Sequence, residues 1–315
     1  MKDRVLVVLH KLEDSFGYYD VRSGRQLHLL KTRSYPHEIC LSPDRKKIYI
    51  AEMGVRGVES EGPGGHTVAV YDVGTRAHLS TIDTAPYDRP HGIAAHRNGR
   101  LFVTSESTRH LLIYDLEDES LIHAVPLEQE LAHMVSVSGD GRSAYTANIG
   151  SNTITQVDVA SASVVRHIGV LERPEGMAFS PDGATIYVVC RESRAVAVVD
   201  AGQGQMADRI ETGHGPVRVV ISPDGKRLAI PLFHSDAVQI VDVESRRVTH
   251  TIPVGRYPAG TAMSRDGELV FMACEAENKV YVFSMDRLEI VSEIETRNGC
   301  DAMVCLDAGE LNRDQ

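Results

Sequence analysis

His37, His91, His133 and Glu175 hold one register in successive near-copies of a single segment, each directly after a proline or its small replacement Ala132. The copies read "SYPHEICLSPDRKKIYIAEM", "RPHGIAAHRNGRLFVTSE", "LAHMVSVSGDGRSAYTAN" and "RPEGMAFSPDGATIYVVC". Later copies put Val217, Ala259 and Asp301 in the same slot, and from His91 onward the slots are 42 residues apart. With 14 histidines in 315 residues, three in equivalent slots is far more than random placement supplies. Three imidazoles and a carboxylate brought together are ligands for a divalent ion such as Zn²⁺, Mn²⁺, Fe²⁺ or Ni²⁺. A single histidine lining a wet channel needs no such partner. Four consecutive ligating residues point instead to a metal centre or to acid–base chemistry.

Other groups suited to that chemistry sit nearby. Glu38 and Arg218 directly follow their slots. The loop after the second strand of each copy opens with His10–Lys11, Glu52–Met53, Ser105–Glu106, Asn148–Ile149, Cys190–Arg191, Leu232–Phe233 or Cys274–Glu275. Glu38, Glu52 or His10 is expected to move protons, and Arg191 or Arg218 to hold a carboxylate. Glu106 is a spare carboxylate, and Cys190 a ligand, a nucleophile or plain packing. "HGIAAH", from His91 to His96, lies on a strand; residues five apart there face opposite sides and do not chelate together. The chain has no GxGxxG after a strand, no phosphate-binding Walker loop, no GxSxG elbow and no HExxH.

The elements that must position these residues follow from the repeat. Each copy has an apolar stretch, a turn such as "SPDG", an alternating segment, a polar turn, and a second alternating segment ending in Asp72, Asp115, Asp158, Asp200 or Asp242, with Ser284 as an exception. Segments such as "GMAFS", "TIYVV", "AVAVVD" and "ADRIETG" have the period of strands, and the "PDG" pieces have turn chemistry. Four-stranded units of about 40 residues repeated in series read as blades of a β-propeller. After Asp301, "AMVCLDA" supplies one inner strand, while "VLVVL", "FGYYDV" and "QLHLLKT" supply three at the start. The expected fold is therefore all-β, a single seven-bladed β-propeller over 1–315. Its ring is closed by one C-terminal inner strand plus three N-terminal strands, and 308–315 is a tail. The slots then ring one mouth of a solvated channel, where truncating a histidine leaves no packed cavity.

"RPEGMAFSPDGATIYVVC…AVAVVD" and "GPVRVVISPDGKRLAI…AVQIVDVESRRVTHTIPVG" resemble the YVTN-type β-propeller repeat family, related to the lactonase-like seven-bladed propellers. The resemblance covers nearly all of the chain and implies the same fold. It also implies a choice of activities, because such propellers serve as enzymes, as cofactor-binding proteins and as binding modules. Hydrolysis of a lactone or ester fits the lactonase-like members. Elimination or isomerisation, by proton abstraction next to a metal-bound carbonyl, fits the residues equally well. A non-catalytic propeller would bind a partner through large aromatic anchors, and here aromatic residues are 5% with no Trp.

Composition bounds the partners. A net charge of −11 and a pI near 5.7 argue against nucleic acid or an anionic membrane, and no apolar run is long enough to span a bilayer. Five cysteines without CxxC spacing suit free thiols and a cytoplasmic setting. The expected partner is a small-molecule substrate. One irregularity stands out: from Tyr49 to Asp72 is 23 residues, against 13 from Phe102 to Asp115. The excess falls in "MGVRGVESEGPGGH", and Gly54–Gly65 reads as a lid over the channel mouth.

Overall fold

The computed structural model describes residues 3–311, which form seven four-stranded antiparallel sheets arranged as a ring. Blade 1 joins the strands Arg4–His10, Ser15–Asp20 and Gln26–Lys31 to the C-terminal strand Cys300–Asp307. The inner strands of blades 2 to 7 are Pro36–Leu41, Pro90–His96, Ala132–Val137, Pro174–Phe179, Val220–Ile221 and Pro258–Met263. Each touches the next, and Cys300–Asp307 touches both the first and the last of them, so the ring is closed. Among the described residues no helix is long and apolar enough to cross a membrane.

Local chemistry explains why the repeat makes these hairpins. In "SPDG" of blade 5, the Ser180 hydroxyl donates to Asp182 at 2.6 Å and accepts the Thr185 N–H at 2.9 Å. Gly183 completes the turn at φ +73°, a conformation costly for a side chain with a Cβ. The Asp that ends each third strand caps the next turn; Asp200 accepts the Gln203 N–H at 2.8 Å. Ser284 breaks that pattern in name only, since its hydroxyl accepts the Arg287 N–H at 3.3 Å.

Packing is between blades. Seven apolar clusters fill the seven interfaces, each drawing on two adjacent sheets; Val7, Phe16, Ile48 and Ala69, for example, join blades 1 and 2. Near the axis the strands come so close that some positions admit no side chain. A Cβ on Gly92 would lie 2.5 Å from the His133 carbonyl oxygen, and one on Gly260 would lie 2.1 Å from that of Asp301. All five cysteines are free.

The seam is reinforced by charge. Arg4, 1% exposed, reaches from blade 1 to Asp266 and to Glu268 at 2.7 Å in blade 7. The chain end departs from the expected tail. Ala308–Glu310 forms a 3-10 turn, Glu310 pairs with Arg45, and Leu311 packs on the core shared by blades 1 and 2. Arg45 also donates to the Cys305 carbonyl at 2.6 Å, which ties this turn to the closing strand. Residues 312–315 of the expected tail lie outside the described residues.

Closure carries the stability of the whole ring. Truncation before Cys300 removes the partner of Arg4–His10 and strips Leu306 and Met303 from two interfaces. Each such buried side chain is worth about 2–5 kcal/mol, against a total stability of about 5–15 kcal/mol for a folded domain. The truncated chain is expected to aggregate or unfold in size-exclusion and thermal-melting experiments. A soluble monomer melting with the full chain would contradict this account of closure.

Candidate active site

One hydrogen bond recurs in every blade and sets which residues face the channel. Two residues before each slot the backbone is left-handed, at Tyr35, Arg89, Leu131, Arg173, Gly215, Tyr257 and Gly299. The carbonyl there accepts the N–H of the second residue of the inter-strand loop. Glu106 donates to Arg89 at 3.0 Å, Arg191 to Arg173 at 2.9 Å, Phe233 to Gly215 at 2.7 Å and Lys11 to Gly299 at 3.0 Å. Glu275, Ile149 and Met53 do the same. The first residue of each loop ends its strand opposite the residue before the slot, as Glu52 opposes Pro36 and Cys190 opposes Pro174. Lys11, Ile149, Arg191, Phe233 and Glu275 line a cavity at the channel mouth; the first-place residues do not.

That one-residue alternation removes two expected proton carriers from the mouth. His10 is fully buried with Ser15 Oγ at 3.1 Å and the Tyr19 hydroxyl at 3.0 Å, and burial pushes its pKa down to about 4. The Glu52 carboxylate accepts from the Arg33 N–H at 2.7 Å and the Thr67 hydroxyl at 2.6 Å, holding loops together. Cys190 is equally withdrawn, its thiol pushed up to about 12 by burial.

The slot histidines meet, though not in open water. His91 is 0% exposed and is sandwiched between His37, 4.4 Å away between ring centroids, and His133, 3.8 Å away and nearly parallel. The expectation of a freely solvated slot fails for His91, and its truncation would leave a packed void. Ligand atoms of His37, Glu38 and His91 lie within 4.8 Å of one another, as do those of His91, Glu106 and His133. Glu175 is in neither group, because Arg191 at 3.2 Å and Arg173 at 3.5 Å claim the same oxygen of its carboxylate. Glu106 stands where Glu175 was expected, 2.9 Å from His133 Nδ1.

Burial governs the protons here. It pushes His133 down to about 3 against the pull of Glu175, and drives His91 well below the usual imidazole range. It pushes Glu106 up to about 7, opposed by the charges of His37 and Arg89. His91 and His133 are therefore neutral at physiological pH, with lone pairs to offer. Both nitrogens of His91, Nδ1 of His37 and Oε2 of Glu106 are buried without a hydrogen-bond partner among the described residues. Each such atom costs about 1–3 kcal/mol unless something bonds it. Their donor chemistry fits a divalent ion.

Above the stack is the cavity, about 670 Å³, with His37, His133, Glu175, Val217, Ala259 and Asp301 at its base. Its wall is a set of ion pairs. Lys11 bridges Asp301 at 2.9 Å and Glu275 at 3.0 Å. Arg218 pairs with Glu38 from across the ring and lines both this cavity and a smaller one of about 160 Å³. Arg191 lies 4.9 Å from the Phe233 ring centroid, and Phe233 stacks on Tyr257 at 4.8 Å.

The long loop covers this cavity with Arg56, Gly57, Val58, Glu59 and Ser60. Its ends are pinched together by the Gly65 N–H on the Met53 carbonyl at 2.7 Å, and a Cβ on Gly54 (φ +73°) would sit 2.1 Å from Gly65 N. Arg89 secures its middle through the carbonyls of Ser60 and, at 2.6 Å, Gly62. The side chains of Arg89 and Arg173 were not singled out in the sequence. The signal was available, since both stand two residues before a slot.

The fold and site together define a seven-bladed β-propeller with a histidine stack beneath a capped, ion-pair-lined mouth. No family model matches the chain. It is similar in structure to the periplasmic gluconolactonase of Pseudomonas aeruginosa (TM-score 0.80, 19% identity, 96% of this chain and 99% of that one). A putative 6-phosphogluconolactonase from Bacteroides uniformis gives a TM-score of 0.79 at 15% identity over 97% of this chain and 100% of that one. Hydrazine synthase of Kuenenia stuttgartiensis gives 0.76 at 19%, over 90% and 93%. Antigen Lp49 of Leptospira interrogans serogroup Icterohaemorrhagiae serovar copenhageni is 23% identical over 161 residues, 51% of this chain but 34% of that protein. The chain thus spans about a third of that relative's length. At these identities the likeness is one of fold.

The withdrawn His10 makes a pH test. Its pKa falls from 6.5 to about 4 on folding, so its contribution to stability is full above 6.5 and is lost as pH falls through about 4. The melting-temperature advantage of wild type over His10→Gln should therefore shrink as pH falls through that window. A constant difference would show that His10 holds its proton equally well folded and unfolded, and so is not depressed by burial.

Proposed function

We propose that the protein is a metal-dependent hydrolase of a small lactone or ester, acting at the capped mouth of the channel. The observation that carries this is the histidine stack, in which both nitrogens of His91 and Nδ1 of His37 are buried without partners among the described residues, set directly beneath a cavity of about 670 Å³. His37, His91 and His133, with Glu106 in place of Glu175, would hold a Zn²⁺, Mn²⁺, Fe²⁺ or Ni²⁺ ion. Such an ion supplies a water activated near neutral pH and polarises a carbonyl. The gluconolactonase and the putative 6-phosphogluconolactonase among the structural neighbours support lactone hydrolysis as the reaction class.

The chain's own residues divide the remaining work. Glu106 joins the stack at His133 Nδ1, where it would serve as the anionic ligand, whereas Glu52 and His10 are held away from it by bonds of their own. Arg191, braced by Glu175 and Phe233, presents cationic N–H groups to an anionic substrate. Arg218 lines the same cavity but is tied to Glu38, so both are placed to hold the base of the site rather than to turn over a proton. The 54–65 loop keeps bulk water from the reacting carbonyl. The same stack beneath the cavity would also serve a second reading, elimination or isomerisation by proton abstraction next to a metal-bound carbonyl.

The test begins with protein purified without chelator or nickel resin. About one ion per chain is expected, with proton release from aldonolactones or simple esters that chelation abolishes. Glu106→Gln and His91→Gln should lower metal affinity about 10–100-fold, whereas Glu175→Gln and the control His96→Ala should retain the ion. Wild type without stoichiometric metal, gaining no thermal stability from any of the four ions, would end the metal reading. A metal-loaded protein that eliminates or isomerises a carbonyl compound, but hydrolyses none, would favour the second reading.

A further inference from the structure

Arg89 and Arg173 occupy the same register in blades 3 and 5, two residues before the slot, with left-handed backbones at φ +53° and +59°. Both reach the capping loop, by different means. Arg89 is 6% exposed and grips backbone carbonyls, which a bound molecule cannot replace without dismantling the loop. Arg173 is met by a side chain: Glu59 Oε1 lies 3.1 Å from its guanidinium, and the Glu59 side chain is 83% exposed. A contact of that kind holds weakly and exchanges readily with solvent.

The two guanidiniums of Arg173 and Arg191 also converge on one oxygen of Glu175, at 3.5 and 3.2 Å. Glu175 anchors them from the base of the cavity, and Glu59 meets Arg173 from the roof. Arg173 and Arg191 both line the cavity, their side chains 26% and 21% exposed, so the pair keeps N–H donors open toward it. Planar guanidiniums match a carboxylate with two parallel N–H···O bonds.

We propose that Arg173 is a specificity-determining residue for a substrate carboxylate, and that Glu59 is a built-in stand-in for that carboxylate on the capping loop. A carboxylate entering the cavity takes the place of Glu59 on Arg173, with Arg191 as the second donor, and the loop stays hinged on Arg89. The proposal rests on reading this cavity as a substrate site. It does not require the metal, because none of its groups belongs to the histidine stack. No bond is made or broken, only one ion pair exchanged for another.

The experiment measures binding of gluconate and citrate by calorimetry, with inorganic phosphate and neutral glucitol as comparators, on protein as purified and again after chelation. Glu59→Gln removes the internal competitor and should tighten gluconate or citrate binding about two- to fivefold. Arg173→Gln should weaken it about tenfold or more. Arg173→Lys, which keeps the charge but loses the fork, should fall between wild type and Gln. Trypsin should cut after Arg56 faster in Glu59→Gln, and faster in wild type saturated with carboxylate.

These effects should survive chelation, so a failed metal reading leaves the result readable. Folded variants that bind carboxylates as wild type does would overturn the proposal. It would also be overturned if neither wild type nor Glu59→Gln bound either carboxylate, or if phosphate bound in preference to both.

Discussion

Everything at the channel mouth depends on one backbone hydrogen bond repeated in seven blades. A left-handed residue turns the chain from the rim of one blade toward the axis, and its carbonyl accepts an N–H from the neighbouring inter-strand loop. The bond fixes the loop's phase, so in five of the blades the second loop residue lines the mouth while the first is buried against the inner strand. Because backbone supplies both partners, the side chains on either side can vary without losing the geometry. The same position carries Leu131, Gly215 or Arg173, and the other partner can be Ile149, Phe233 or Glu106. A constant frame thus presents a variable ring, which is how one architecture supports unrelated chemistries.

Within that ring, charge is sorted by depth. The histidines lie lowest, and burial opposes the protonation of His91 and His133. Paired charges surround them, with Lys11 between two carboxylates and Arg218 across the axis on Glu38. Ion pairs at this depth gain little net stability, since desolvation offsets their attraction. Their effect is on arrangement. They hold donors and acceptors at set places around a cavity where a small molecule would otherwise meet mobile side chains.

The repeat made the architecture legible. Its 42-residue period, its turn residues and its unequal ends together specified seven blades and the closing strand, because each depends on local chemistry that a single chain displays. The slot was legible for the same reason, and His37, His91 and His133 do come together. Which carboxylate joins them was not. Glu175 shares the histidines' register, but two arginines from elsewhere in its own blade compete for it, and Glu106 comes to the stack from a loop. His10 and Glu52 were misplaced by one residue of alternation, which a loop without an alternating pattern does not reveal. The reach of Glu59 to Arg173, from blade 2 to blade 5, has no local signature at all.

Closing the ring with a strand from the far end of the chain also has a consequence in time. The edge of Arg4–His10 that Cys300–Asp307 will cover is made long before its partner, with six blades of chain between them. At ribosomal rates of about 5–20 residues per second, roughly 15–60 s separate the two. Throughout that interval an apolar strand, Arg4 to His10 with every residue buried in the finished ring, has an open edge. Nascent chains on one message lie close together and carry the same edge. For this protein the hazardous period is therefore set by translation speed rather than by the stability of the completed ring.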